Sequence, residues 1–364
     1  MLLLLLLLFL PAAPAGSAGR LESVPVVDMG APLAEAAPRV AAALRRYGFF
    51  YASNHGVPEQ LLRSQFAQSE ALFALPAEVK RGMAFVPDLD IGYLTNQALD
   101  EESGATDTKE GFMLTNNRVM TEPGWSDLDA DDPLAGAELL WPPLPEYERT
   151  LRRYVAQVTR VNHALNKLLF ASLGLGDAER LALAAAPFTV LKQMRYMPGE
   201  GESESLGAGA HADWGALTVL ATDGTAGLEV ELDGEWLPVP PREGCLIINA
   251  GDQIYHWTNG EYRSATHRVL HSIPKPRFST AFFTYFDIDT IVSALPQFVT
   301  PDRPALRKPE TSREYFHFRS RSSRSRAGRV RATWTCWRTR PRSGLLAPSS
   351  SGAWPRFRAA LAWR

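Results

Sequence analysis

The chain contains 364 residues, of which 45% are hydrophobic and 21% charged, enough to bury one large core or two small ones. Residues 319–364 hold 12 arginines and no acid, so the formal net charge of −2 leaves −14 on residues 1–318, which argues against nucleic acid as the main partner. The two cysteines exclude a disulfide framework and a thiolate metal cluster, so a bound metal must use histidine and carboxylate.

The first 20 residues, MLLLLLLLFLPAAPAGSAGR, form an apolar run followed by small residues. This order is typical of a secretory signal, but no lysine or arginine precedes the leucines. The run is also short for a membrane span. A genuine signal or anchor and an artefact of gene prediction are equally supported as interpretations of this segment. We expect no membrane contact unless residues 1–20 are a real anchor.

Residues 23–135 are predicted to form an N-terminal α/β region. The segment VPVVDMG (24–30) predicts a short buried strand, and the alanine-rich segment after it predicts a helix that Gly48 ends. A second strand follows in GFFYASNHGVP, and Pro58 lies at the first turn of a second helix.

Residues 136–318 begin with a long amphipathic helix and continue as short strands. The helix is indicated by apolar residues three and four apart between Leu144 and Leu168. From about Phe188 the segments are short and rich in β-branched and aromatic residues, and Asp233 and Gly234 supply the turn of a hairpin. We therefore predict a mainly β fold, a double-stranded β-helix (jelly roll) with a helical N-terminal region.

The last segment, residues 319–364, mixes Arg, Ser, Trp and Pro without a helical or strand period. We expect it to be disordered. A basic RNA-binding or localising tail is one interpretation, but an extension without an evolved role is favoured because its tryptophans follow no pattern.

A metal site is indicated in the strand-rich half by HADWGALTVL, residues 211–220. Side chains two apart in an extended chain point the same way, so His211 and Asp213 could hold one ion between them. A third ligand should come from a later strand, and we favour His267, which opens an apolar strand. His256 and His271 are interpreted as barrel-wall or loop residues.

Ten residues beyond His267, the segment PRFST repeats the two-apart spacing with Arg277 and Ser279. A guanidinium fork and a hydroxyl on one strand face suit a carboxylate ligand. Two histidines and one carboxylate with open positions are associated with non-haem Fe(II) oxygenases. The hypothesis of an iron site rests on the metal-ligating residues together with Arg277 and Ser279, because neither the His211 and Asp213 pair nor the Arg277 and Ser279 pair is specific alone.

These motifs resemble the iron- and 2-oxoglutarate-dependent dioxygenases of the isopenicillin N synthase-like family. The resemblance covers roughly residues 23–318 and rests on HADWGALTVL, NAGDQIYHWTNGEYRSATHRV and PRFST, with VPVVDM, YGFFYASNHGVP, FALPAEVK and DTKEGFML in the first half. It implies a double-stranded β-helix in which His211, Asp213 and His267 bind iron. It also implies that Arg277 and Ser279 bind the distal carboxylate of 2-oxoglutarate.

One position departs from the family pattern, which often reads Asn-Tyr-Tyr-Pro before the first ligand. Here the chain has Arg195, Tyr196, Met197 and Pro198, so alignment on the proline puts Met197 where a cosubstrate-binding tyrosine is expected. Tyr196 remains a candidate cosubstrate ligand, but this offset predicts that its hydroxyl points away from the iron.

The resemblance also implies the reaction and its components. The cofactors are Fe(II), the cosubstrate 2-oxoglutarate and O₂, with ascorbate as a candidate addition. A small organic substrate is hydroxylated, desaturated or ring-closed with release of succinate and CO₂. The enzyme is expected to be a monomer in the cytoplasm, or in the secretory pathway if residues 1–20 are a signal. The alternatives are a catalytically silent jelly-roll binding protein and a related oxidase that does not use 2-oxoglutarate.

Overall fold

Two β-sheets face each other across a buried apolar layer in the computed structural model. The structure describes residues 24–87, 89–95, 109–116, 132–184, 186–198, 206–270, 273 and 275–326. The leucine run, His271 and most of the arginine-rich tail lie outside these residues. Among the described residues, no helix is long and apolar enough to cross a membrane.

The larger sheet has eight strands in the order β1-β2-β10-β7-β12-β5-β4-β3. Most neighbours in it are antiparallel, while β1 and β2 are parallel. Its strands are β1 Val26–Asp28, β2 Phe49–Ser53, β3 Gly92–Thr95, β4 Lys109–Thr115, β5 Pro187–Tyr196, β7 Leu217–Thr222, β10 Cys245–Ala250 and β12 Arg277–Asp287.

The smaller sheet has four antiparallel strands in the order β6-β11-β8-β9. They are β6 Leu206–His211, β8 Leu228–Leu232, β9 Glu235–Pro238 and β11 His267–Leu270. Strands β8 and β9 form the predicted hairpin, with Asp233 and Gly234 at positive φ. A further pair, β13 Ile291–Val292 and β14 Glu310–Thr311, lies beyond β12.

Side-chain alternation explains why the two sheets pack together. In β8, Leu228, Val230 and Leu232 are buried, while the glutamates between them are less buried. Val230 belongs to the same apolar cluster as Met194 and Ile247 of the larger sheet. The predicted jelly-roll fold is confirmed.

Helices cover the other face of the larger sheet. They are α1 Leu33–Arg46, α2 Glu59–Ala74, α3 Ala77–Gly82, α4 Tyr147–Ser172, α5 Asp177–Ala184 and α6 Asp252–Trp257. The last helix, α7 Ser312–Arg326, instead packs Phe316 against residues of the interior face. The long predicted helix is α4, whose Tyr147, Leu151 and Val158 share a core cluster with Leu191 and Phe282 of the sheet. One core therefore joins the N-terminal region to the jelly roll.

The helix α1 ends as predicted at a glycine. Gly48 has φ of +68°, and a Cβ atom there would lie 2.7 Å from the carbonyl oxygen of Arg263. Conformation and space therefore both require glycine.

The N-terminal α/β region contributes β1, β2, β3 and β4 to the larger sheet, and β1 and β2 lie in the two segments predicted as strands. One expectation, about the tail, is wrong in part. The tail is not irregular from residue 319, because α7 continues to Arg326. Tyr315 and Phe316 are buried, and Arg319 forms an ion pair with Asp252 at 3.5 Å, which holds the first part of this helix on the protein.

Candidate metal centre and its surroundings

Three potential metal ligands meet at one end of the smaller sheet. His211 ends β6, His267 begins β11, and the two residues are cross-strand partners. Asp213 lies two residues after β6. Its Oδ1 atom is 4.0 Å from Nε2 of His211 and 3.8 Å from Nε2 of His267. One ligand atom from each residue lies within 4.8 Å of the others, a spacing that one ion can bridge.

Hydrogen bonds fix the orientation of both imidazole rings. Nδ1 of His211 is 2.7 Å from the carbonyl oxygen of Gly209, and Nδ1 of His267 is 3.2 Å from that of Ala265. A carbonyl only accepts, so each Nδ1 carries the proton and each Nε2 presents a lone pair to the centre. The ring of Phe49 packs edge-on against His267.

Asp213 is held so that only one of its oxygens faces the histidines. Its Oδ2 atom accepts hydrogen bonds from Oγ1 of Thr218 at 2.6 Å and from Nδ2 of Asn249 at 2.7 Å. Asn249 lies within β10 opposite Thr218. Nothing in the local sequence marks Asn249 as a partner of a residue 36 positions away.

The backbone around Asp213 is clamped by the turn after β10. The amide of Asp252 donates to the carbonyl oxygen of Asp213 at 2.8 Å, and the amide of Gln253 donates to that of Gly215 at 3.0 Å. A Cβ atom on Gly251 would lie 2.4 Å from the Gly215 oxygen, so glycine is required for this approach. The carboxylate of Asp252 also accepts a hydrogen bond from the Tyr315 hydroxyl at 2.5 Å.

The surroundings of His211 and Asp213 give both side chains the protonation states that binding of a cation requires. Burial, together with the neighbouring His267, lowers the pKa of His211 to about 3. Burial alone would raise the pKa of Asp213, but the two histidines and the bonds from Thr218 and Asn249 outweigh it and leave this pKa below its usual value. At neutral pH Asp213 is therefore an anion and His211 is neutral, as metal binding requires.

Arg277 and Ser279 lie at the start of β12 and are each 1% exposed. Nε of Arg277 donates to the carbonyl oxygen of Thr225 at 3.2 Å. Among the described residues, however, Nη1 of Arg277 and Oγ of Ser279 have no hydrogen-bond partner. Leaving such groups unpaired costs free energy, so they fit a carboxylate ligand that accepts from both.

Tyr196 faces the interior of the jelly roll, the position that alignment on Pro198 assigned to Met197. It is the cross-strand partner of Arg277, and its ring centroid lies 5.0 Å from the guanidinium carbon. Its hydroxyl donates to Sδ of Met194 at 3.1 Å. The exposed residue Met197 follows the end of β5, so the interior position belongs to Tyr196 and not to Met197.

An aromatic cluster lies further along the same interior face, at the other ends of β5 and β12 from Tyr196 and Arg277, and Trp214, the residue after Asp213, packs against it. Tyr285 packs against Phe188 and Phe316 with ring centroids 5.5 Å and 5.2 Å away, and Phe283 is packed against the cluster. Phe316 comes from α7. His256 lies elsewhere, between Tyr315 and Tyr255.

A jelly roll that gathers two histidines and one carboxylate, and that also buries unpaired polar atoms of Arg277 and Ser279, is typical of the non-haem iron oxygenase class. Comparison with known proteins specifies it further. Residues 188–285 match the model of the 2OG-Fe(II) oxygenase superfamily, and residues 24–142 match the model described as non-haem dioxygenase in morphine synthesis, N-terminal.

Named relatives agree with these matches. Gibberellin 20 oxidase 2 of Oryza sativa subsp. indica is 33% identical over 80% of this chain and 74% of its own length. Clavatol oxidase of Penicillium crustosum is 31% identical over 75% of this chain and 88% of its own. The crystal structure of the rice dioxygenase for auxin oxidation superposes with a TM-score of 0.66 at 29% identity, covering 84% of this chain and 98% of that one.

The chain belongs to the 2OG-Fe(II) oxygenase superfamily. It is a 2-oxoglutarate-dependent dioxygenase with Fe(II) as its metal, and the resemblance seen in the sequence is confirmed.

Proposed function

We propose that His211, Asp213 and His267 bind the catalytic Fe(II), and that Arg277 with Ser279 binds the distal carboxylate of 2-oxoglutarate. The observation that carries this proposal is that Nε2 of both histidines and Oδ1 of Asp213 converge on one point. The remaining polar atoms of these side chains, Nδ1 of each histidine and Oδ2 of Asp213, are already hydrogen-bonded to the protein. The unpaired atoms of Arg277 and Ser279 support the second half.

The bound metal and cosubstrate supply the oxidising chemistry, releasing succinate and CO₂ while a substrate C–H bond is oxidised. The protein binds and orients these groups and excludes water around them. The hydrogen bonds at Nδ1 hold the rings of His211 and His267. Thr218 and Asn249 hold the carboxylate of Asp213.

Arg277 is suited to selecting a dicarboxylate. Its guanidinium is buried and packs on the ring of Tyr196, which restricts its position. A planar fork held in this way binds a carboxylate in one orientation. Tyr196 contributes through this packing, while its hydroxyl is engaged by Met194.

The substrate of this reaction is proposed to be a small organic molecule bound beside the aromatic cluster of Phe188, Phe283, Tyr285 and Phe316. The cluster provides an apolar wall on the face that also carries the cosubstrate anchor. Hydroxylation, desaturation and ring closure all begin with oxidation of a C–H bond held near the metal, so the site is compatible with each of these three reactions.

We further propose that the enzyme acts as a monomer in the cytoplasm. One chain supplies all five residues assigned to the metal and cosubstrate, so the site needs no partner subunit. Size-exclusion chromatography with light scattering tests the monomer, and fractionation of cells that express the full chain tests the compartment.

The decisive experiment loads the full chain anaerobically with Fe(II) and 2-oxoglutarate. The iron-to-cosubstrate charge-transfer absorption should appear before oxygen enters, and succinate should form afterwards. Both signals should be lost in His211→Ala and Asp213→Ala and kept in His256→Ala, the matched control, because His256 lies outside the ligand cluster. Bound iron without either signal in the wild type would refute the cosubstrate assignment.

A further inference from the structure

The turn between β7 and β8 lies against Arg277, one of the two residues assigned to the cosubstrate. This turn, residues 223–227, leads from the larger sheet to the smaller one. The carbonyl oxygen of Thr225 accepts a hydrogen bond from Nε of Arg277 at 3.2 Å. A Cβ atom on Gly227 would lie 3.8 Å from Cδ of the same arginine. The turn therefore packs along the arginine side chain.

Hydrogen bonds from Asp223 fix the position of the turn on β12. Its Oδ1 atom accepts from the amide of Thr225 at 2.9 Å, and its Oδ2 atom accepts from the amide of Phe278 at 3.0 Å. The amide of Asp223 donates in turn to the carbonyl oxygen of Phe278 at 3.1 Å. Because Phe278 lies between Arg277 and Ser279 in the chain, Thr225 is held close to both of them.

Thr225 has a buried hydroxyl that the protein leaves without a partner. Its amide and its carbonyl are bonded to Asp223 and Arg277, and the residue is only 4% exposed. Its Oγ1 atom, like Nη1 of Arg277 and Oγ of Ser279, has no hydrogen-bond partner among the described residues. A buried donor without a partner costs free energy, so three of them in one place indicate a ligand that accepts from all three.

These three atoms differ in location from the other buried side-chain atoms that lack a partner. Within the described ranges, the others belong to α2, α4 and α6, or to the ion pair of Glu110 and Arg195. That ion pair lies on the sheet face that the helices cover, since the guanidinium of Arg195 lies over the ring of Phe73 in α2. In the described part of the chain, only the group at the start of β12 adjoins the layer between the two sheets.

We propose that Thr225 is a third residue that binds the cosubstrate, and that its hydroxyl donates to the distal carboxylate of 2-oxoglutarate beside Arg277 and Ser279. The two oxygens of a carboxylate offer about four lone-pair positions, enough for all three side chains. This inference rests on the proposed function, because it assumes that Arg277 and Ser279 bind that carboxylate.

The test is an anaerobic titration of the Fe(II)-loaded full chain with 2-oxoglutarate, followed by the charge-transfer absorption. Thr225→Val keeps the shape of the side chain and removes the hydroxyl. It should raise the concentration needed for half-maximal absorption roughly tenfold, the size expected of one hydrogen bond to a charged group. Thr225→Ser keeps the hydroxyl and should stay within about threefold of the wild type.

Two comparisons separate binding of the carboxylate from a structural role. Thr159→Val is the matched control, because Thr159 is also buried with an unpartnered hydroxyl but lies in α4, and it should leave the titration unchanged. The analogue 2-oxopentanoate lacks the distal carboxylate, so Thr225→Val should not weaken its binding. The urea midpoint of the ligand-free chain should not fall in Thr225→Val, because the hydroxyl that is removed has no partner there.

Failure of this inference is distinguishable from failure of the proposed function. Absence of the charge-transfer absorption in the wild type would refute the proposed function itself. With that absorption present, an unchanged 2-oxoglutarate requirement in Thr225→Val would mean that the hydroxyl bonds to water alone, and would overturn the inference. An equal loss in Thr225→Ser, in Thr159→Val or with 2-oxopentanoate would overturn it as well, because none of these comparisons removes a bond from Thr225 to the distal carboxylate.

Discussion

Removing one of the two donors to Asp213 should weaken iron binding without removing an iron ligand. Asn249 and Thr218 both donate to Oδ2 of Asp213, at 2.7 Å and 2.6 Å. A hydrogen bond to a charged group contributes about 1.5–3 kcal/mol, and loss of such an orienting bond typically lowers metal affinity about 10- to 100-fold. We expect a loss in this range for Asn249→Ala and for Thr218→Val.

The assay is an anaerobic titration of Fe(II) in the presence of saturating 2-oxoglutarate, followed by the charge-transfer absorption. Asn116→Ala is the matched control, because Asn116 is also a buried asparagine with two side-chain hydrogen bonds, to Pro187 and Thr189, on a different part of the sheet. It should lower stability without changing iron affinity. If all three variants bind iron equally well, the orienting role of Asn249 and Thr218 is refuted.

Three further outcomes can be measured. Arg277→Ala should raise the 2-oxoglutarate concentration needed for half-maximal absorption at least about 30-fold, and Ser279→Ala about tenfold or less, since only the first removes a buried charge; equal effects would contradict the assignment. Glu110→Gln should lower the free energy of unfolding at pH 7 by about 2 kcal/mol. Burial opposes ionisation of Glu110, but hydrogen bonds from Tyr93 and Lys80 and the charge of Arg195 leave its pKa below 4.5. Its contribution is therefore complete above pH 4.5 and is lost as the pH falls through the folded-state pKa, so urea unfolding should show convergence of wild type and variant in acid. Deletion of residues 327–364, which follow α7, should change the free energy of unfolding by less than about 0.5 kcal/mol; a deleted chain that fails to fold would show that the tail belongs to the core.

The convergence of His211, Asp213 and His267 could be predicted from the sequence. His211 and Asp213 are two apart and His267 opens a strand, which predicts side chains on one side of the sheet, although Asp213 itself lies two residues beyond β6. Asn249 could not be predicted in the same way. Its role depends on the register of β10 against β7, which places it opposite Thr218, and no local pattern specifies that register.

Tyr196, β3 and β4 could not be predicted from the local sequence for the same reason. Alignment on a proline assigned the interior position to Met197, whereas the pairing of Tyr196 with Arg277 places the tyrosine inside. β3 has only four residues, β4 shows no clear alternation of burial, and both join the sheet through pairing in the order β5-β4-β3. Tertiary pairing, rather than local propensity, determines such strands.

The two sheets have different parts in the site. His211 and His267 belong to the smaller sheet, while the carboxylate of Asp213 is tied to β7 and β10 of the larger sheet through Thr218 and Asn249. An ion held by all three would therefore connect the sheets. If Arg277 on β12 holds the cosubstrate as proposed, the larger sheet would position that ligand as well. Precise sheet-to-sheet packing is thus a requirement of the site, and the rigid apolar layer between the sheets, which includes Val230, supplies it.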